Sequence, residues 1–275
     1  VEKRSVRRYA SGIAAHLLGD VAEVNQRDVD SDGYYKSGDF IGKLGVERSY
    51  EKVLRGEKGM RILLRDVHGR TKGHYMDGKY DTEAQPGRNL TLGLDYATQE
   101  LAERLLEGKY GAIVAIEPAT GEIIAMASAP TYDPRSMVGR DRGRTMTLMM
   151  RDERRPLLNR AISGTYPPGS TFKIASMMVA LEDGICTPES PIDVGNGTYK
   201  FNGRTIRDHN AQSGGYGTIT VAQSIWYSSN VSIAKIVLKG YGNNPRKFID
   251  GLHRTGIDAD LNLDIAGAGR AKIRR

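Results

Sequence analysis

Residues 166–173 read YPPGSTFK, and residues 174–181 continue as IASMMVAL. Two prolines and a glycine make a stiff approach, and the apolar run behind them has the length of a helix, with Asp183-Gly184 as its expected C-terminal stop. At about 100° per residue, Ser170, Lys173, Ile174, Met177 and Leu181 fall on one stripe, so serine and lysine are expected to point inward together. A lysine among Met and Ile loses hydration, which favours the neutral amine, and the positive end of the helix dipole acts in the same direction. A neutral amine one turn from a hydroxyl takes its proton, and Ser170 at a helix N-terminus offers its own backbone N–H to an oxyanion. The same letters admit a plainer arrangement, in which Ser170 caps a core helix and Lys173 runs out along the surface.

A second constellation lies at 218–234, TITVAQSIWYSSNVSIA. Thr220 and Gln223 have capping-box spacing, so a short helix is expected from Val221 to about Tyr227. Val231, Ala234 and Leu238 then resume a helical pattern. Ser228, Ser229 and Asn230 fall at the break, where their side chains are free to face a cleft; by itself S-x-N is common, and it reads more readily as a helix N-cap at Asn230.

Together, S-x-x-K in GSTFK and S-x-N in SSN, in that order and 58 residues apart, resemble the active-site motifs of penicillin-binding proteins and serine β-lactamases. GAIVAIEPATGEIIAMASAPTYDP and PLLNRAISGTYPPGSTFK look like the start of a class B transpeptidase domain. YYKSGDFIGKLGVERSYEKVLRGEKG looks like the end of that class's N-terminal pedestal. The resemblance implies an α+β fold, with helices packed on an antiparallel sheet, in a transpeptidase domain from residue 91 to 275 that follows a mixed α/β pedestal domain at residues 1–90. It implies D,D-transpeptidation of peptidoglycan, with Ser170 acylated by D-Ala-D-Ala stem peptides or β-lactams and Lys173 as base. Ser228 would relay a proton to the leaving group, Asn230 would bind the acyl-side amide, and Gly169 and Ser229 would contact substrate.

No cofactor or metal is implied. Implied partners are stem peptides, β-lactam antibiotics and proteins of a cell-wall synthesis complex, a glycosyltransferase among them. The implied location is the periplasmic face of the bacterial cytoplasmic membrane, with the anchor outside this chain. The letters are mixed within class B: YPPGSTFK is similar to elongation-type enzymes, and GGYGTITVAQSIWYSSN and YGNNPRKF to division-type ones. A β-lactamase-like serine hydrolase and a non-catalytic interaction module of the cell-wall complex are the alternatives.

The family's third motif, K-[ST]-G on a strand after S-x-N, is not found. Lys36-Ser37-Gly38 has the letters but precedes Ser170, and Arg254-Thr255-Gly256 comes too early. The resemblance therefore implies a chain cut before that strand, which normally supplies the second oxyanion donor. Losing one such donor typically costs about 10²–10³ in rate. The 111–128 hairpin is then expected to stand largely alone, and two strands are marginal in water.

The rest of the chain narrows the alternatives. In 275 residues, 39% are apolar, enough for a core, and 40 Lys+Arg against 33 Asp+Glu give +7, a modest bias toward anionic partners. No RNP-like aromatic run or zinc-finger spacing supports nucleic-acid binding. Cys186 is the only cysteine, which excludes an internal disulfide, and the five histidines never come at i, i+4. No apolar run nears the ~20 residues that span a bilayer, and VEKRSVRRYA is too charged for a signal peptide.

Upstream of residue 90, GIAAHLLGD and ERSYEKVLRG read as short helices, and MRILLRDV and GRTKGHYMD as strands. LDYATQELAERLLEGK reads as a helix ending near Gly108, with Ala97, Leu101 and Leu105 beside Ala102 and Leu106. GAIVAIEPATGEIIAMAS reads as a hairpin about a Pro118–Gly121 turn. Residues 133–160 hold eight arginines against four acids, expected as a solvated loop or as a patch facing anionic lipid or polymer. DVDSDGYYKSGD at 28–39 mimics a calcium loop, but Lys36 stands at a ligand position. GDFIGKL is one residue short of a phosphate-binding loop, and Arg207-Asp208-His209-Asn210 reads as a loop near the cleft mouth rather than as part of a Ser/His triad.

Overall fold

The computed structural model describes residues 8–139, 141–271 and 273, which fall into two compact units, 1–164 with 262–269 and 165–261 with 270–275. The boundary expected near residue 90 lies inside the first unit.

In chain order the first unit holds α1 (Ala15–Leu18), β1 (Val21–Glu23), α2 (Gln26–Ser31), β2 (Phe40–Gly42), α3 (Gly45–Ser49), α4 (Glu51–Leu54), β3 (Leu63–Arg65) and β4 (Thr71–His74). It continues with α5 (Tyr96–Leu105), β5 (Gly111–Ile116), β6 (Ile123–Ala129), α6 (Arg142–Arg151) and α7 (Arg160–Ser163). The strands pair antiparallel as β1–β2, β3–β4 and β5–β6.

The β5–β6 hairpin runs from Gly111 opposite Ala129 to Ile116 opposite Ile123, closed by the Gly121 N–H on the Glu117 carbonyl. Its strands pair only with each other among the described residues, yet the hairpin is not left bare. The far edge of β6 is occupied by the Asp95 N–H on the Ile124 carbonyl (2.9 Å). Next to it, the buried Gln99 amide donates to the Met126 carbonyl (3.0 Å) and accepts from the Met126 N–H (2.7 Å). A side chain of α5 thus satisfies strand groups that a third strand would otherwise take. Ala102 and Leu106 pack on Ala127 and Ala129, whereas Leu101 and Leu105 are exposed; of the two apolar rows expected on this helix, only one is buried.

The arginine-rich stretch is not a loop throughout. Residues 142–151 form α6, which lacks a side-chain N-cap bond and leaves Leu148 and Met150 exposed, so neither a cap nor an apolar stripe announced it. Four of its arginines are engaged: Arg142 pairs with the buried Asp20, Arg135 with Asp133 and Arg154 with Asp152, and Arg160 donates to the Arg154 and Arg155 carbonyls. Arg140 lies outside the described residues. In the calcium-loop look-alike, Asp28, Asp32 and Asp39 pair with Lys43, Arg55 and Lys58. No helix among the described residues is long and apolar enough to cross a membrane.

The second unit contains α8 (Phe172–Glu182), β7 (Pro191–Gly195), β8 (Thr198–Phe201), β9 (Arg204–Arg207), β10 (Gly217–Thr220), α9 (Val221–Trp226), α10 (Asn230–Tyr241) and α11 (Pro245–Arg254). Strands pair antiparallel as β7–β10 and β8–β9. Met177 and Ala180 of α8 meet Ile233 and Ile236 of α10 and Val221 of α9 in one core. Val194, Ile219 and Val231 join the β7–β10 pair to α10.

Helix α11 seats against α8 at a glycine: a Cβ at Gly251 would lie 2.2 Å from Cγ1 of the fully buried Val179. Gly251→Ala is therefore expected to lower stability by about 1–3 kcal/mol through overpacking, read as a lowered Tm, because branched Val179 has little rotamer freedom with which to retreat.

Candidate active site

The approach to α8 is a 3-10 turn, Gly169–Thr171, that runs into the helix. Gly169 has φ +59° and open space around its Cβ direction. The backbone therefore, not crowding, calls for glycine just before Ser170. Ser170 is exposed at this turn, and its N–H lies in the first turn of a helix, where amides lack intrahelical carbonyl partners.

The expected inward stripe is partly corrected. Ser176, Met177, Val179 and Ala180 are buried, while Ile174 (57% exposed) and Leu181 (38% exposed) face out. Lys173 sits at the edge of the Met177–Ala180 face and is half-buried. It does not run out along the surface: its Nζ donates to the Ser228 carbonyl (2.5 Å) and to Ser228 Oγ (2.9 Å). Ser228 Oγ in turn donates to Ser170 Oγ (3.1 Å).

Among the described residues no hydrogen bond joins Lys173 to Ser170 directly. The proton path expected to cross one helical turn is bridged by a second hydroxyl from another element. Desolvation holds the Lys173 amine below the ordinary lysine range, partly opposed by the negative charge of Asp208.

Ser228 owes its place to how α9 ends. The Thr220/Gln223 capping box opens that helix as expected. At its close the Ser229 N–H reaches back to the Ser224 carbonyl (2.9 Å) and the Ser228 N–H to the Ile225 carbonyl (3.1 Å), the paired bonds of a Schellman motif. Ser228 occupies the left-handed position of that motif at φ +52°, where glycine is the usual residue. A non-glycine residue held there costs about 1–2 kcal/mol and signals a site where something other than stability selects the side chain. Ser228→Gly is expected to raise stability by up to about 1 kcal/mol in urea titration, and to break the hydroxyl chain.

The helix cap is Ser229, not Asn230: the Ser229 side chain accepts from the Ser232 N–H (3.0 Å). Ser229 is fully buried, and its Oγ donates to Asp208 Oδ2 (2.8 Å), so its hydroxyl is committed within the fold, and the substrate contact expected of it has no exposed atom to make it. Asn230 is exposed, and its Nδ2 donates to the Arg207 carbonyl (2.8 Å), which leaves the amide oxygen facing outward.

Asp208 is the residue that sequence reading passed over. The signal was its position directly after a strand, in a segment weighed only for its histidine. His209 is not in the hydroxyl chain; its Nε2 meets Tyr216 Oη at 3.0 Å. Cys186 stands apart from the chain, and burial pushes its thiol up, away from thiolate reactivity. Arg254-Thr255-Gly256 closes α11 and forms no strand. Among the described residues no cluster of His, Cys, Asp and Glu has the arrangement of a metal site.

Residues 111–273 match the model of the penicillin-binding protein transpeptidase domain, and residues 1–92 match that of the penicillin-binding protein dimerisation domain. The chain is 34% identical over 229 residues to the peptidoglycan D,D-transpeptidase MrdA of Acinetobacter baumannii, covering 82% of this chain and 33% of that protein. It is 29% identical over 275 residues to FtsI of Escherichia coli, covering 97% of this chain and 40% of that protein. It therefore spans about a third of the length of these curated relatives. Among solved structures, the penicillin-binding protein PBP2 of Helicobacter pylori in complex with MreC superimposes with a TM-score of 0.81 at 25% identity, covering 94% of this chain and 47% of that one.

Proposed function

The chain belongs to the penicillin-binding protein transpeptidase family, and on that premise we propose that it carries the acylation machinery of a peptidoglycan D,D-transpeptidase. The observation that carries the reading is the continuous path from Lys173 Nζ through Ser228 Oγ to Ser170 Oγ.

With the amine neutral, one N–H stays on the Ser228 carbonyl and the two hydroxyl hydrogens turn, so that Ser228 Oγ donates to the nitrogen lone pair and Ser170 Oγ donates to Ser228 Oγ, the reverse of the direction held with the ammonium. As Ser170 Oγ bonds to the acyl carbon of a D-Ala-D-Ala stem or a β-lactam, its proton passes to Ser228 Oγ while the Ser228 proton passes to Lys173, leaving an ammonium. That ammonium returns a proton through Ser228 to the departing amine, so proton count and charge close over the half-reaction. A second amine, from a neighbouring strand, then takes the acyl group by the reverse path. The Ser170 N–H at the helix N-terminus contributes to binding the oxyanion, the exposed Asn230 amide orients the acyl-side peptide, and Gly169 lets backbone approach the substrate. Ser229 acts from beneath as the cap that holds Asn230, not as a substrate ligand. The chemistry draws on no cofactor.

By this reading residues 1–90 form a pedestal and residues 91–275 carry the reaction. The PBP2 relative is described in complex with MreC, which supports a partner of the same kind, a cell-wall complex protein, for this chain. We place it at the periplasmic face of the cytoplasmic membrane, where peptidoglycan stems are presented. The test is mass spectrometry after incubation with benzylpenicillin: a single penicilloyl adduct on the peptide containing Ser170 is expected, and an unmodified protein at saturating drug would overturn the assignment.

A further inference from the structure

The acylation path leaves a buried carboxylate beside it without a role. Asp208, at the end of β9, is 4% exposed. Its Oδ1 accepts from the backbone N–H of Asn230 (2.6 Å) and of Val231 (3.0 Å), and its Oδ2 accepts from Ser229 Oγ (2.8 Å). All three donors belong to the segment that follows Ser228 directly, at the N-terminus of a twelve-residue helix.

The neighbours of Asp208 hold the same segment. The Arg207 carbonyl accepts from Asn230 Nδ2. His209 meets Tyr216 Oη, and the Tyr216 ring stacks on Tyr227 with centroids 4.4 Å apart. Tyr227 is the residue before Ser228, so residues 207–209 fix the turn on both sides of the one side chain that joins Lys173 to Ser170. A serine in left-handed backbone stays there only where its surroundings over-determine it, and this set of contacts does so.

We propose that Asp208 is a positioning residue for acylation: its carboxylate clamps the 229–231 backbone so that Ser228 bridges Lys173 and Ser170. The proposal rests on the reading of Ser170, Lys173 and Ser228 given above and adds a fourth side chain that touches neither substrate nor nucleophile.

The same carboxylate also carries a charge that acts on Lys173 through space. Desolvation lowers the amine's affinity for a proton, and Asp208 is the charge that opposes it. Three other charged groups on the helices packed against α8 are engaged elsewhere. Lys235 of α10 binds the Asp193 carbonyl, and Lys247 and Arg254 of α11 pair with Asp183 at the far end of α8. Without the Asp208 charge, Lys173 would release its proton at lower pH. The anion therefore limits how far the amine is neutralised while it steadies the ammonium formed during acylation.

Two variants separate the parts. Asp208→Asn keeps a carbonyl oxygen for the Asn230 and Val231 N–H groups and removes the charge, whereas Asp208→Ala removes both. In Asp208→Ala, acylation by fluorescent penicillin is expected to fall about 10²-fold, the scale of an ångström-level misplacement, with faster amide hydrogen exchange at Asn230 and Val231. In Asp208→Asn, the Lys173 titration followed through its 13Cε resonance is expected to move to lower pH, and the acid limb of the acylation profile with it. Wild-type exchange at 230 and 231, or undiminished acylation, in Asp208→Ala would overturn the proposal. If Asp208→Ala does not fold, Asp208→Glu, which displaces the carboxylate by one methylene, decides by the same exchange and acylation measurements. The resonance and exchange measurements need no acylation, so a wild-type protein that penicillin fails to label sinks the transpeptidase reading and leaves the Asp208 test standing.

Discussion

Ser170→Ala is expected to take up no detectable penicillin under conditions in which the unaltered protein is fully labelled. The substitution deletes the atom that would form the ester and leaves the rest of the path in place, since Lys173 remains bonded to the carbonyl and hydroxyl of Ser228. Removing the nucleophile of a serine acyl-transfer site has cost about 10⁶-fold in turnover, and covalent capture leaves nothing to measure once the oxygen is gone. Ser170 is exposed, so the fold should change by no more than about 0.5 kcal/mol, and a thermal melt checks that the loss is chemical. Equal labelling of both proteins would remove Ser170 from the mechanism.

Lys173→Met is expected to follow closely behind. Methionine has nearly the length and apolar surface of the lysine stem, so packing against the Met177 face of α8 survives while the proton acceptor is lost. General-base removal costs about 10²–10⁴, and the upper part of that range applies here because the Ser228 hydroxyl loses its only described link to a base. The pH dependence gives a sharper signature. Desolvation lowers the Lys173 value below that of an ordinary lysine, so acylation should rise with pH as the folded amine sheds its proton, on a limb below the ordinary lysine range. In Lys173→Met that limb should vanish. The same shift acts on folding. Between the lowered folded value and the ordinary unfolded one, the unfolded chain holds a proton that the folded chain does not, so stability increases as pH rises through that interval. Retained acylation in Lys173→Met would count against an amine base.

Much of this arrangement was legible because local rules and tertiary structure agree. The capping box at Thr220, the end of α8 at Asp183-Gly184 and the turn between β5 and β6 each rest on contacts within a few residues. The pairing of S-x-x-K with S-x-N identified the side chains that the fold brings together. What was not legible depends on distant partners. Nothing near Lys173 in sequence says that it bonds across 55 residues to Ser228, or that Ser229 is consumed by a carboxylate 21 residues upstream. The α8 stripe misled because the wheel counts hydrophobicity without knowing which sides are covered, and α8 buries Val179 and Ala180 against α10 and α11 while Ile174 faces out. Helix α6 went unread for the opposite reason: Leu148 and Met150 are exposed, and contacts such as Arg142 with Asp20 hold the helix.

The left-handed serine at 228 also bears on descent. Under the proposed mechanism, mutation there toward glycine removes chemistry and relaxes the backbone in one step, so selection for a sound fold and selection for turnover pull in opposite directions at a single codon. Copies of this gene retained as scaffolds rather than for the proposed reaction are expected to accumulate glycine at 228 before they lose the surrounding cap. A glycine at that position in an otherwise intact sequence would mark a retired enzyme more reliably than overall divergence.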